Sequence, residues 1–229
     1  MYHPYPPSAG NTNDADNFEY VELTNTGTDP ISLIGYRFTN GIDFTFTATN
    51  RVTSLAPGGR VLVVKNYAAF ASRYPAVTNL VAGEYGGNLN NGGERLSLIG
   101  PLAEPVLDFS YDNQWYPLSD GEGFSLVVVN EGASPGAWTN AAQWRASAYD
   151  GGSPGVVDPA PVSVLPVLVN ELLSLPVGGG SDAVELYNPN GVEVDLGGWY
   201  LTDNYGEPRR YQIPVGTVVP AGGYRIASG

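Results

Sequence analysis

Short stretches in which apolar and polar residues alternate run along most of the chain, separated by turns rich in glycine, proline and asparagine. In one of them Val21 and Leu23 share one face. Tyr20 and Glu22 share the opposite face, so the stretch has the period of two of a β-strand with one face in the core. Turn residues follow at 25–27 and lead into another alternating stretch, which predicts a hairpin. Because hairpins recur without alternating helices, we expect an all-β antiparallel sandwich.

One short helix is predicted, over residues 66–74. Asn66 can cap its N-terminus, and Pro75 ends it. Its apolar face would consist of Tyr67, Phe70, Ala71 and Tyr74.

The hydrophobic pattern occurs twice. Residues 22–25 (Glu-Leu-Thr-Asn) and 185–188 (Glu-Leu-Tyr-Asn) correspond, and so do the stretches 33–39 and 196–202 that follow them. The match resumes with a one-residue insertion at the Gly-Gly turns. Self-similarity of this kind predicts a tandem repeat of one module.

The two copies differ in length. The first copy continues through strand-like stretches over residues 92–129, whereas the second copy stops shortly after Gly223. A half-built module would expose an open core and unpaired strand edges. We therefore expect either that the chain is a fragment of a longer protein or that strand exchange with another chain completes the second copy.

Composition narrows the classes of partner. The formal net charge is −13 and lysine occurs once, at Lys65, so no nucleic-acid partner is expected. From the sequence given, neither a membrane span nor a signal peptide is expected. Cysteine is absent, which excludes disulfides and thiolate metal sites.

Both copies contain several short motifs in a fixed order. The first copy carries them at residues 1–4, 36–42, 55–59, 91–94, 107–112 and 120–123. The second copy carries them at residues 168–172, 182–189, 194–203, 213–214 and 220–224. In this order the motifs resemble the lamin tail domain family, and the first copy resembles its bacterial form.

The resemblance implies an immunoglobulin-like β-sandwich without a catalytic role. It assigns residues 1–155 to a first domain, whose first strand would lie before Met1 in the family pattern, and 166–229 to the N-terminal part of a second domain. The Pro-rich composition of residues 156–165 predicts a linker between them. The resemblance further implies a binding or spacer module of a larger secreted or cell-surface bacterial protein, with a protein or polysaccharide partner. Two alternatives remain open: a carbohydrate-binding module of a secreted hydrolase, and a metal-assisted hydrolase.

An aromatic loop is the candidate partner-binding site. Tyr111, Trp115 and Tyr116 lie close together in the sequence, and such residues stack on sugars or anchor protein interfaces. The alternative is that Trp115 closes the end of the sandwich.

No catalytic residue and no resident cofactor are predicted, because the single histidine and single lysine provide none of the usual nucleophile–base sets. Asp112, Asp120 and Glu122 could offer oxygens to Ca²⁺, but they lack the alternating Asp-x-Asp-x-Asp pattern, and a solvated turn is the favoured interpretation. A hydrolase would have to use acids from the set Glu94, Asp108, Asp112 and Asp120. Glu22 and Glu185, which recur in the repeat, are expected to accept hydrogen bonds from the backbone, Tyr or Arg.

Overall fold

The computed structural model describes residues 1–7, 11–159, 164–174, 181–204, 207 and 209–228. The chain divides into two compact units, Met1–Pro161 and Val162–Gly229. Part of the predicted linker, residues 160–163, lies outside the described residues, so the domain limits drawn from the sequence stay a prediction. No helix among the described residues is long and apolar enough to cross a membrane.

The first unit is built mainly from strands. These are β1 (Tyr20–Thr24), β2 (Ile31–Ser32), β3 (Arg37–Asn40), β4 (Phe44–Thr45), β5 (Ser54–Leu55), β6 (Arg60–Val64), β7 (Val81–Glu84), β8 (Gly93–Ile99), β9 (Pro105–Asp112), β10 (Leu126–Val128) and β11 (Trp144–Ala146). Its α-helix is α1 (Tyr67–Arg73), and short 3₁₀ helices cover Ala15–Phe18, Pro75–Leu80, Pro117–Ser119, Pro135–Thr139 and Ala141–Gln143.

Two larger sheets form the layers of the first unit. One has the strand order β1-β6-β7 and the other β4-β3-β8-β9, while β2-β5 and β10-β11 form separate two-stranded sheets. The pairing is antiparallel except between β6 and β7, which run parallel. The fold class predicted from the sequence, an all-β immunoglobulin-like antiparallel sandwich with few helices, is confirmed.

Two apolar cores lie on the two faces of the β1-β6-β7 sheet. The sandwich core fills the space between the two larger sheets and includes Val63 and Phe109. The helix-side core lies under α1 and includes Tyr20, Leu62 and Phe70. Successive residues of β6 enter opposite cores because side chains alternate along a strand.

The alternation along β1 predicts only part of its environment. Val21 and Leu23 pack against the sandwich core, as the pattern predicts. Assigning Tyr20 to an outer, uncovered face is wrong: it is buried, with its ring 5.7 Å from that of Phe70 in α1. The helix covers the second face of the sheet, so β1 is buried on both sides at this end.

Helix α1 begins and ends close to the predicted limits. The Asn66 side chain caps it by accepting a hydrogen bond from the Ala69 amide at 2.9 Å, and Pro75 begins a 3₁₀ helix. The predicted face needs one correction, because the fully buried residues are Ala69 and Phe70, whereas Ala71 is half-buried.

The second unit contains a smaller set of strands. They are β12 (Leu168–Leu173), β13 (Ala183–Tyr187), β14 (Val194–Asp195), β15 (Tyr200–Leu201), β16 (Tyr211–Gln212), β17 (Val218–Val219) and β18 (Tyr224–Ser228). They form the sheets β12-β13-β18, β14-β17 and β15-β16. A small core includes Leu186, Leu196 and Val219.

An asparagine fixes the same turn in both units. The Asn25 amide donates to the carbonyl of Leu55 at 3.2 Å, and the Asn188 amide donates to that of Val219 at 3.0 Å. The backbone N–H of Asn25 bonds Gly59 in the first unit, and that of Asn188 bonds the second glycine of the matching Gly-Gly turn. Equivalent strands are therefore tied together by equivalent bonds.

The next turn repeats as well. In the first unit the N–H of Phe46 donates to the carbonyl of Tyr36 at 2.8 Å. In the second unit the N–H of Ile213 donates to the carbonyl of Trp199 at the same distance. Pairing of β1 with β6 corresponds to pairing of β13 with β18.

Candidate functional site

A groove of about 250 Å³ runs beside β1 in the first unit, and we call it the β1 groove. Consecutive residues of β1, 20–24, line one part of it, and consecutive residues 125–128, in and next to β10, line another. Side chains of the sandwich core, among them Phe109 and Trp144, also border it. The groove is therefore apolar and lies alongside two strands.

The edge of β1 that borders this groove carries main-chain hydrogen-bonding groups. Among the described residues β1 is laddered with β6 alone. The edge that faces away from β6 borders the groove. At one end of this edge, the Met1 amine donates to the Tyr20 carbonyl at 2.8 Å, and the Tyr20 N–H donates to the Met1 carbonyl at 3.1 Å. Because main-chain groups alternate along a strand, the N–H groups of Glu22 and Thr24 point to the same edge as that of Tyr20.

Glu22 stands at this edge and is held by the backbone, as the sequence predicts. Its carboxylate accepts a hydrogen bond from the Gly155 N–H at 2.5 Å, and the Arg60 guanidinium lies 3.8 Å away. Burial raises the pKa of Glu22, while the bond from Gly155 and the charge of Arg60 oppose the rise. In the second unit the matching Glu185 accepts a bond from the Asn170 amide at 2.7 Å.

Glu19 is a buried acid that the sequence analysis misses. It is 0% exposed, and its Oε2 accepts bonds from the Tyr85 hydroxyl at 2.7 Å and the Leu89 N–H at 3.0 Å. Its Oε1 is buried without a hydrogen-bond partner among the described residues. Burial raises the pKa of Glu19 to about 7. No local pattern signals this burial, because the covering residues are distant in the sequence.

Asp158 is a second missed residue. Its buried carboxylate forms an ion pair with Arg145 and also accepts bonds from the Ser153 hydroxyl and the Ala148 N–H. These contacts tie residues that the sequence assigns to a linker onto β11 and its following turn. Because Ser153 and Asp158 border the β1 groove, the network shapes one of its sides.

The three residues of the predicted aromatic site are buried or half-buried in the first unit. Tyr111 is 7% exposed, and its hydroxyl donates to the Asn90 carbonyl at 2.9 Å. Trp115 is half-buried with its ring 6.5 Å from that of Trp144, and the Tyr116 hydroxyl donates to a backbone carbonyl at 3.0 Å. All three pack in or against the sandwich core, and their role in partner binding stays a prediction.

The predicted calcium ligands also have protein partners. Asp120 lies 2.5 Å from the His3 imidazole and accepts a bond from the Asn113 amide at 3.0 Å. Asp112 accepts a bond from the N–H two residues on, and Glu122 is half-buried. The part of the chain that the structure describes contains no group of three or more His, Cys, Asp or Glu side chains placed to hold a metal ion.

Glu94 and Asp108, the other two acids considered for hydrolysis, form hydrogen bonds that stabilise the β8–β9 hairpin. The carboxylate of Glu94 accepts bonds from the Asn90 N–H at 2.8 Å and the Tyr111 hydroxyl at 3.2 Å. Asp108 pairs in a two-bond arrangement with Arg95, which lowers the pKa of Asp108 to about 2. An acid that ionises this readily and stays paired is a poor proton donor.

Comparison with known proteins gives one family. The family model described as Lamin Tail Domain matches residues 2–112 and 162–228. No curated protein and no solved structure matches the chain.

Proposed function

Because the chain belongs to the lamin tail domain family, we propose that it is a non-catalytic, immunoglobulin-like binding or spacer module of a larger secreted or cell-surface bacterial protein. The family match, which reaches into both compact units, is the observation that carries the proposal. Sandwiches of this kind present loops and strand edges on a rigid scaffold, which suits them to recognition.

The proposal includes a tandem arrangement, in which the second unit is the N-terminal part of a second lamin tail module. The repeated turn bonds of Asn25 and Asn188 support it. So does the repeated pairing of strands, because a shared register along the whole β1–β6 and β13–β18 pairs is unexpected for unrelated strand pairs.

The acids support a non-catalytic role. Glu94 and Asp108 hold a hairpin together, and Glu22 binds a backbone N–H. Asp120 is engaged by His3 and Asn113. General acid–base catalysis needs a proton-transferring group that is free to meet a substrate, and these carboxylates are engaged within the protein.

A protein partner is favoured by exposed apolar surface on the second unit. Tyr224 and Ile226 of β18 are 53% and 63% exposed on one face of the three-stranded sheet. Leu168 of β12, 51% exposed, lies on the same face, because Leu168 and Tyr224 both pair with Tyr187. Apolar side chains grouped on an exposed sheet mark interaction surfaces. A net charge of −13 argues against nucleic acid as the partner.

Two experiments test the proposal. Fractionation of the native bacterium with an antibody against the chain should place it in the medium or at the cell surface, within a polypeptide larger than 24.2 kDa. A cytosolic protein of this size would contradict it. Incubation with glycoside and phosphoester panels, with Ca²⁺, Mg²⁺ or Mn²⁺ added, should give no turnover, and metal-dependent turnover would establish the hydrolase instead.

A third experiment separates protein from carbohydrate recognition. Affinity electrophoresis in soluble polysaccharides should leave the mobility of the protein unchanged. Retardation that is lost in Trp115→Ala would favour a carbohydrate-binding module, because the half-buried ring of Trp115 would then supply the stacking surface.

A further inference from the structure

The segment that joins β7 to β8, residues 85–92, covers the buried carboxyl of Glu19, and we call it the β7–β8 loop. Tyr85 and Leu89 form its inner side and are each 4% exposed, whereas residues 86–88 and 90 are exposed. Both groups that donate hydrogen bonds to Glu19, the Tyr85 hydroxyl and the Leu89 N–H, belong to this loop. Displacement of the loop would therefore remove both donors and let water take their place.

The two oxygens of Glu19 are not equally satisfied. Oε2 accepts both hydrogen bonds, whereas Oε1 is buried and has no partner among the described residues. An ionised carboxylate carries negative charge on both oxygens, and an oxygen that is buried without a donor makes the charged form costly. The closed loop thus fits the protonated form of Glu19 better than the ionised form.

The titratable groups that face Glu19 do not offset a negative charge near neutral pH. Asp16, in the 3₁₀ helix before β1, repels such a charge. Tyr85 and Tyr111 are neutral, since burial raises the pKa of both hydroxyls. The Met1 amine favours the ionised form, but burial lowers the pKa of this amine to about 5. A peptide bond at the place of the amine would be uncharged as well, so the balance does not depend on it.

The backbone of the β7–β8 loop is suited to movement. Gly87 within the loop and Gly93 directly after it have φ values of +81° and +102°, a region that glycine adopts without steric cost. On the outer side of the loop, the Lys65 ammonium donates to the Gly87 carbonyl, and the Asn90 N–H donates to Glu94 at 2.8 Å. Both bonds are exposed, so water can replace them when the loop moves.

We propose that the β7–β8 loop is a pH-sensitive latch, which is closed most firmly over Glu19 while its carboxyl is protonated and opens more often once the carboxyl ionises. The inference is independent of the binding function proposed above. Opening would hydrate Glu19 and would bring Leu89, an apolar residue of the sandwich core, towards the surface.

The direction of the pH dependence follows from linkage. Burial raises the pKa of Glu19 from 4.5 to about 7 in the closed form, and hydration in the open form would return it towards 4.5. The stability of the closed loop is therefore fully present below pH 4.5 and is lost as the pH rises through about 7.

Amide hydrogen exchange of the full chain, followed by NMR, tests the latch. The protection factor, which is the ratio of the intrinsic to the observed exchange rate, corrects for the direct effect of pH on exchange. For the Leu89 N–H it should fall at least about tenfold between about pH 5 and about pH 8. In Glu19→Gln it should stay constant within about twofold, because glutamine does not titrate. The matched control is Glu104→Gln, which removes an exposed carboxyl and should behave as the parent chain does.

A protection factor at Leu89 that does not change with pH in the parent chain would overturn the latch. So would an equal fall in the parent chain and in Glu19→Gln, because the titrating group would then be another one.

Dilute urea separates opening of the loop from unfolding of the whole unit. Local opening exposes little surface, so exchange at Leu89 at about pH 8 should not accelerate in dilute urea. Exchange at Leu98 in β8, which lies between β3 and β9, should accelerate because it requires unfolding. Equal acceleration at Leu89 and Leu98 would overturn the latch, since Glu19 would then act on the stability of the whole unit alone.

Tyr85→Phe keeps the test valid if Glu19→Gln fails to fold. Burial raises the pKa of Glu19, and the bond from the Tyr85 hydroxyl opposes the rise. Phenylalanine keeps the ring and removes this bond, so the fall in protection at Leu89 between about pH 5 and about pH 8 should grow by about threefold or more. A fall equal to that of the parent chain would show that the carboxyl of Glu19 does not control the loop and would overturn the proposal.

Discussion

Replacing Glu19 by glutamine is expected to change how the stability of the first unit depends on pH. Glu19 is fully buried, and burial raises its pKa from 4.5 to about 7 even though Tyr85 and Leu89 donate hydrogen bonds to it. The folded protein therefore holds the proton of Glu19 more tightly than the unfolded chain does. Glutamine keeps the size of the side chain and removes its titration.

The size and the sign of this pH dependence follow from the linkage between proton binding and folding. Below pH 4.5 the carboxyl is protonated in both states, and the stability contributed by the raised pKa is fully present. As the pH rises toward 7, the unfolded chain ionises first, so this contribution is lost and stays lost once both states are ionised. Each unit of pKa shift corresponds to about 1.4 kcal/mol. As the pH rises through both pKa values, the free energy of unfolding of the parent chain should therefore fall by about 3 kcal/mol relative to that of the Glu19→Gln variant.

Urea unfolding followed by tryptophan fluorescence measures this difference. The chain has four tryptophans, and a Trp199→Phe background leaves the other three, all in the first unit, as the signal. Free energies of unfolding are compared with and without Glu19→Gln between about pH 4 and about pH 8, a range that spans both pKa values. Glu104→Gln, which removes an exposed carboxyl from the same unit, is the matched control. If the free-energy difference between the parent chain and the Glu19→Gln variant does not change with pH, the reasoning is refuted.

Four further substitutions test the packing, the turns and the helix cap. Phe70→Ala should destabilise the first unit by about 3–5 kcal/mol, because it opens a cavity in the helix-side core; thermal unfolding measures this, with the exposed Leu102→Ala as control. Asn188→Ala should destabilise the second unit by about 1–3 kcal/mol, because it leaves buried backbone carbonyls without a donor; Asn25→Ala should act on the first unit instead, and Trp199 fluorescence tells the two apart. Asn66→Ala should destabilise the first unit by about 1 kcal/mol through loss of the cap of α1, and urea midpoints check it; an unchanged midpoint would show that the cap contributes nothing.

Local pattern is sufficient for much of the fold. The alternation of Val21 and Leu23 identifies a core face, and the capping asparagine before α1 identifies the helix. The repeated asparagines identify matching turns because a side-chain amide that satisfies backbone carbonyls must recur wherever the turn recurs. The core face and the helix cap depend on residues close together in the sequence, and the asparagines are recognised by their repeated neighbours, although the carbonyls of Leu55 and Val219 that they bond lie far along the chain.

The environment of Tyr20 and Glu19 could not be predicted in this way. Tyr20 is buried by Phe70 of α1, and Glu19 is bonded by Tyr85 and Leu89. These partners follow only from the course of the chain through several strands. A period of two predicts which side chains share a face, but it does not predict what covers that face.

The candidate site is less predictable still. The β1 groove depends on the placement of β1 beside residues 125–128, which are far away in the sequence. The aromatic residues that the sequence suggests, such as Trp115, pack against the sandwich core. Large aromatic side chains serve cores and interfaces alike, so composition alone cannot separate the two roles.

Fractionation of the native cells tests the central claim most directly. If the chain is a module of a larger secreted or cell-surface protein, an antibody against it should detect a polypeptide larger than 24.2 kDa in the medium or at the cell surface. A cytosolic polypeptide of 24.2 kDa would contradict the account.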